Sequence, residues 1–157
     1  LHLTSLGLGG DCHLDPMFAR LIHDLPADAI GLKLGINMMG GTVSDRTFRA
    51  FVIGFIKTIR DGHPNIPIAV VSPICHPPRE STPNEVGMTL QIMRQRLAEA
   101  VDVLQGHGDQ NLHYVDGLSL MGENDVHLYI DGIHPSAEGY RFLADAYLRE
   151  TMPKLGL

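Results

Sequence analysis

The residues best placed to do chemistry lie in Tyr129-Ile130-Asp131-Gly132-Ile133-His134-Pro135-Ser136-Ala137-Glu138-Gly139-Tyr140. An Asp and a His stand three residues apart in a Gly-containing turn, and a helix signal starts at once after it. A carboxylate at that spacing can hold an imidazole in one tautomer and stabilise the imidazolium when it forms. That is the base-and-orienter part of a nucleophilic triad. The remaining third, the nucleophile, is what this sequence does not readily supply.

The elements that must position this pair can be read along the chain. Leu1–Leu6 reads as a strand and runs into the Gly-rich turn Gly7-Leu8-Gly9-Gly10-Asp11. A helix is expected over Asp15–Asp24 with Pro16 in its first turn, then a strand at Ala29–Leu34 ending in Gly35-Ile36-Asn37. Ser44 or Asp45 caps the next helix, whose apolar Phe48, Phe51, Val52, Phe55, Ile56 and Ile59 recur with helical period. Ile66–Val71 is an apolar strand between prolines. A Pro-rich loop, His76–Pro83, leads to a helix over Asn84–Leu104, and Leu112–Asp116 is a further strand. The last helix, Ser136–Thr151, is expected to bury Tyr140, Leu143, Ala144, Tyr147 and Leu148. Strands alternating with amphipathic helices predict one α/β domain over residues 1–157, a layered sandwich on a mostly parallel sheet. In such a sheet the site lies beyond the carboxyl ends of the strands.

Composition narrows the partners. The 157 residues are 44% hydrophobic and 19% charged, with a net charge of −6. That balance opposes a nucleic-acid partner. Charges such as Lys33, Arg49 and Lys57 interrupt every apolar run, so no membrane insertion is expected. Cys12 and Cys75 form no spaced metal motif and are read as free thiols, with a single bridge as the alternative. No signal peptide is visible, so the compartment is left open with the cytoplasm favoured.

Gly9-Gly10-Asp11, Gly35-Ile36-Asn37 and Asp131-Gly132-Ile133-His134-Pro135 resemble, in order, the second, third and fifth sequence blocks of the SGNH (GDSL-type) hydrolases. The resemblance implies a three-layer, flavodoxin-like α/β/α fold and an ester hydrolase working through an acyl-enzyme, with no cofactor. His134 would be the general base and Asp131 its orienter. The backbone N–H of Gly10 and the side-chain amide of Asn37 would be oxyanion donors. The expected partner is a small-molecule or carbohydrate ester.

One block departs from the pattern. The family's nucleophile sits in a Gly-Asp-Ser block at the end of a first strand, and no Gly-Asp-Ser occurs here. That strand lies inside the family's sheet, between the counterparts of Leu1–Leu6 and Ala29–Leu34. The nucleophile is therefore expected upstream of Leu1. Gly10-Asp11-Cys12 offers a rival reading with Cys12 as nucleophile, but the distance to Gly35-Ile36-Asn37 fits the second block.

Plainer readings stand beside these. Asp131 and His134 could simply cap the final helix, and Asn37 could be an ordinary turn residue. Arg94 and Arg96 read as a solvated helix face. His13 and His76 follow strand ends and are candidate pocket walls. Met38, next to Asn37, could line an acyl pocket because its thioether adapts to varied shapes. No His pair has the i, i+4 spacing of helical zinc sites, so no metal is expected. The alternatives to an esterase are a non-catalytic SGNH-like binding module and a metal-dependent hydrolase using the histidines.

Overall fold

The computed structural model describes all 157 residues. In chain order the elements are α1 (Pro16–Asp24), β1 (Ile30–Lys33), α2 (Asp45–Gly62), β2 (Ile68–Val71), the short α3 (Pro77–Glu80), α4 (Leu90–Gly106), β3 (Leu112–Val115), the short α5 (Gly117–Leu120) and α6 (Ala137–Glu150). Single 3-10 turns cover Ile36–Gly40, Glu123–Leu128 and Met152–Leu155. No helix is long and apolar enough to cross a membrane.

The sheet has three parallel strands in the order β1-β2-β3, with Leu32 opposite Val70 and Val70 opposite Tyr114. Side chains alternate between its faces. Ile30, Leu32, Ile68, Val70 and Leu112 join the larger core with α1, α2 and α4. Ala69, Val71 and Val115 join a smaller core with Leu120, Leu128 and Ala146 on the opposite face. The expected α/β/α layering is therefore present.

Local chemistry starts the helices. The Asp15 carboxylate accepts the N–H groups of Met17 and Phe18 at 2.7 and 3.1 Å, with Pro16 at the first helical position. Thr89 caps α4 through the N–H of Ile92 at 3.1 Å. The Pro-rich run postpones α4 to Leu90, later than the Asn84 expected, because Asn84 turns its Oδ1 to the N–H groups of Val86 and Met88 and closes a loop instead. Ser44 holds the N-cap position of α2 without a side-chain bond to it, and Phe51 faces solvent.

Three expectations are corrected. Leu1–Leu6 forms no strand; Leu1 and Leu3 are exposed and only Leu6 packs on the larger core. An extended segment becomes a strand only when a neighbour takes its backbone groups, and this one has no neighbour. The stripe of α6 is buried only in part: Leu143 and Tyr147 pack on the smaller core. Tyr140, Ala144 and Leu148 are exposed, and the helix buries Gly139 and Ala146 instead. Tyr147 reaches Gly31 on β1, but the sheet ends at that strand and nothing beneath covers the rest. Finally, Arg94 is no solvated residue. It is buried, paired with Glu80, and donates to the Pro73 carbonyl at 3.1 Å. Arg96 lies nearer the surface and pairs with Asp45 and Glu99.

Candidate active site

Parallel strands deliver the segments that follow them to one edge of the sheet. Asn37 follows β1 and His76 follows β2, while the Asp131–His134 turn comes after β3 and its short helices.

Gly35 opens the first of these segments with φ of 119°, and a Cβ there would meet Pro73 at 2.8 Å. Only glycine fits both the conformation and the close approach. The chain then turns through Ile36–Gly40, where Oδ1 of Asn37 accepts the N–H of Cys12 at 3.1 Å. This bond joins the Gly10 turn to the Asn37 turn. It also commits the acceptor end of the amide and leaves Nδ2 as the end that can donate. Gly10 and His13 sit in the same exposed turn. Leu14, just beyond, is the single non-glycine residue with positive φ, at 63°; strained backbone of this kind clusters at functional sites.

The Asp131–His134 turn is closed by its own chemistry. The N–H groups of Ile133 and His134 donate to Oδ1 of Asp131 at 3.0 and 2.8 Å. Nδ1 of His134 donates to Oδ2 of the same carboxylate at 2.7 Å. Because a carboxylate only accepts, the proton belongs on Nδ1 and the Nε2 lone pair is free to take another. The hydrogen bond from the imidazole, then those from the two backbone amides, hold the Asp131 carboxyl well below the usual carboxylate range. Ser136 caps α6 by accepting the N–H of Gly139 at 3.1 Å, so the pair is not spent on capping that helix.

The remaining candidates divide. His76 is buried with its Nδ1 unpartnered. Burial, then Arg79, pushes its imidazole below the ordinary value, against the opposing pull of Glu80 and Asp131. Met38 is fully buried within the larger core, so its side chain faces the interior and not an open acyl pocket. Cys12 directs its thiol toward the Lys33 carbonyl, and burial raises its pKa. Both features oppose a nucleophilic thiolate. No three His, Cys, Asp or Glu side chains converge as metal ligands.

Two concavities lie away from His134. One, of about 450 Å³, is at the amino end of the strands beside His23 and His63; the other, of about 380 Å³, is the apolar stripe of α6. Chemistry, not cavity size, marks the site. The sequence reading missed Asn84, whose Nδ2 supports the loop beyond Asn37 through the Met39 carbonyl at 3.1 Å, and the buried Glu80–Arg94 pair beneath His76. Neither carries a local sequence signal, because both act across long separations.

No curated protein sequence matches the chain significantly. Among solved structures it is similar to the salicylyl-acyltransferase SsfX3 from a tetracycline biosynthetic pathway, with 38% identity and a TM-score of 0.82 over 93% of this chain and 43% of that one. It is also similar to a protein of Bacteroides ovatus assigned as a GDSL-like lipase, with 24% identity and a TM-score of 0.76 over 96% and 43% of the two chains. A family 3 carbohydrate esterase of Clostridium thermocellum shares the fold at 19% identity and a TM-score of 0.68, over 90% and 66% of the two chains. The chain thus spans less than half the length of the first two structures. The model of the GDSL-like lipase/acylhydrolase family matches residues 1–142, and the chain belongs to that family.

Proposed function

We propose that this domain hydrolyses an ester, or transfers its acyl group, through a covalent acyl-enzyme. The observation that carries the reading is the 2.7 Å bond between His134 and Asp131, which leaves Nε2 of a fixed imidazole free as the base. In the first step Nε2 takes the proton of a serine hydroxyl as its oxygen attacks the ester carbonyl. Gly10 N–H and Asn37 Nδ2 then receive the oxyanion, and His134 returns the proton to the leaving alcohol. Water repeats the sequence in deacylation, or an acceptor alcohol does so in transfer. The substrate class is an ester of a small molecule or carbohydrate, in keeping with the likeness to an acyltransferase and a carbohydrate esterase.

In this reading the serine comes from a segment upstream of Leu1 that pairs with the free edge of β1. Ile30 and Leu34 turn their N–H groups to Pro67 and Val71 on the β2 side. The peptide groups of Gly31 and Lys33 therefore face outward and, apart from the Lys33 carbonyl that the Cys12 thiol approaches, are open to another strand. A strand there would also lie under the uncovered part of the α6 stripe.

The test is labelling by a fluorophosphonate in protein that carries its upstream sequence, read by peptide mass spectrometry. Label on a serine, lost in His134→Ala and indifferent to chelators, is expected. Label on Cys12, or ester turnover lost to chelators and restored by zinc, would sink the proposal.

A further inference from the structure

The Asp131–His134 turn carries both groups at the surface, with side chains 52% and 66% exposed. An exposed turn cannot hold an imidazole in one place unless something beneath fixes it. Its internal bonds, Ile130 N–H to the His134 carbonyl at 2.9 Å and Ser136 N–H to the Leu128 carbonyl at 2.7 Å, close the loop on itself. Behind it, a Cβ on Gly139 would meet the Leu128 carbonyl at 2.6 Å and Pro135 at 3.0 Å, so α6 packs closely on the base of the turn. One hydrogen bond leaves the turn for the sheet side of the molecule. The Tyr129 hydroxyl donates to the carbonyl of Cys75, beyond β2.

That carbonyl is held unusually firmly. Cys75 is fully buried, and its own N–H donates to the Met121 carbonyl at 2.9 Å. On one side Arg94 holds the Pro73 carbonyl at 3.1 Å; on the other the His76 N–H donates to Glu80 at 3.0 Å, and Glu80 pairs with Arg94. The backbone is therefore clamped before and after the acceptor.

We propose that Tyr129 is a positioning residue for the candidate base, its hydroxyl tying the Asp131–His134 turn to the clamped Cys75 carbonyl and so fixing the imidazole. The inference rests on the reading of His134 and Asp131 as base and orienter. Tyr129 precedes Asp131 by two residues and stands opposite Pro135 in an antiparallel bridge, so its ring leaves the turn where the two arms meet. Burial pushes its phenol up to about 12, with Cys75, Asp125 and Glu80 acting in the same direction. The hydroxyl therefore remains a donor at any pH at which an esterase works.

The experiment uses protein that carries its upstream sequence, with Tyr129→Phe, which keeps the ring and removes only the donor. Amide exchange at Ile130 and Ser136 reports opening of the turn, exchange at Val70 reports the sheet, and the side-chain carboxyl ¹³C signal of Asp131 reports its pairing. Exchange at Ile130 and Ser136 should rise roughly three- to tenfold, as for loss of one hydrogen bond, with Val70 unchanged. The Asp131 titration should move up toward the ordinary carboxylate range. Tyr147→Phe, on α6, should move neither signal. His134→Ala tests the pair alone and should also raise the Asp131 titration. If His134→Ala raises it and Tyr129→Phe leaves the turn signals in place, or speeds Val70 equally, the tether is overturned and the pair stands. If His134→Ala leaves Asp131 unmoved, the pair does not form, and the functional reading falls together with the tether.

Discussion

Replacing Arg94 by Met should cost this protein about 3 kcal/mol of stability, although Arg94 lies outside the candidate triad. The guanidinium and the Glu80 carboxylate it meets are 8% and 12% exposed. Removing one partner of a buried pair leaves an uncompensated charge and typically costs about 3–5 kcal/mol. Two features set the estimate at the low end: Glu80 keeps the His76 N–H, and Met retains most of the apolar stem that Arg94 packs. Lost as well is the donor to the Pro73 carbonyl. With a urea slope of about 2 kcal/mol per molar for a chain of this size, the unfolding midpoint should fall by about 1.5 M. Urea titration followed by circular dichroism measures it. Adding Glu80→Gln should return about 1–2 kcal/mol by removing the stranded charge. A deficit below about 1 kcal/mol, or a double variant whose losses simply add, would refute the claim that these charges depend on each other.

Asn37→Asp keeps an oxygen for the Cys12 N–H but removes the donor end of the amide. It should lower kcat by about 10²–10³ in the serine-containing enzyme with little change in KM, and a change confined to KM would remove Asn37 from the oxyanion hole. The depressed Asp131 carboxyl sets a pH dependence. A carboxyl lowered on folding contributes stability above its unfolded value and loses it as pH falls through the folded one. Asp131 should therefore stay ionised, and His134 oriented, across the range where ordinary carboxylates titrate. An acid limb in kcat/KM with an apparent pKa of about 4 that disappears in Asp131→Asn would contradict this.

Much of the fold was legible because its causes are local. Asp15 and Pro16 start α1, Ser136 starts α6, and the apolar period of Phe48 to Ile59 makes α2, each within a few residues. What failed depended on neighbours. Leu1–Leu6 has the composition of a strand but no partner for its backbone, and the stripe of α6 has helical period but no layer to cover all of it. Met38 and Arg94 were misjudged because burial is decided by what packs against a side chain, not by its own type.

The candidate site divides along the same line. Residue order alone determined the Asp131–His134 pairing, because three residues and a glycine suffice to bring Nδ1 to a carboxylate and to satisfy that carboxylate with two adjacent amides. Only the tertiary structure decided how the rest meets. Asn37 and Cys12 are joined across 25 residues, Tyr129 and Cys75 across 54, and Arg94 and Glu80 across 14. A hydrogen bond over such separations leaves no periodicity or spacing to read. It exists because a parallel sheet carries successive strand ends to one edge, where groups far apart in the chain can satisfy one another.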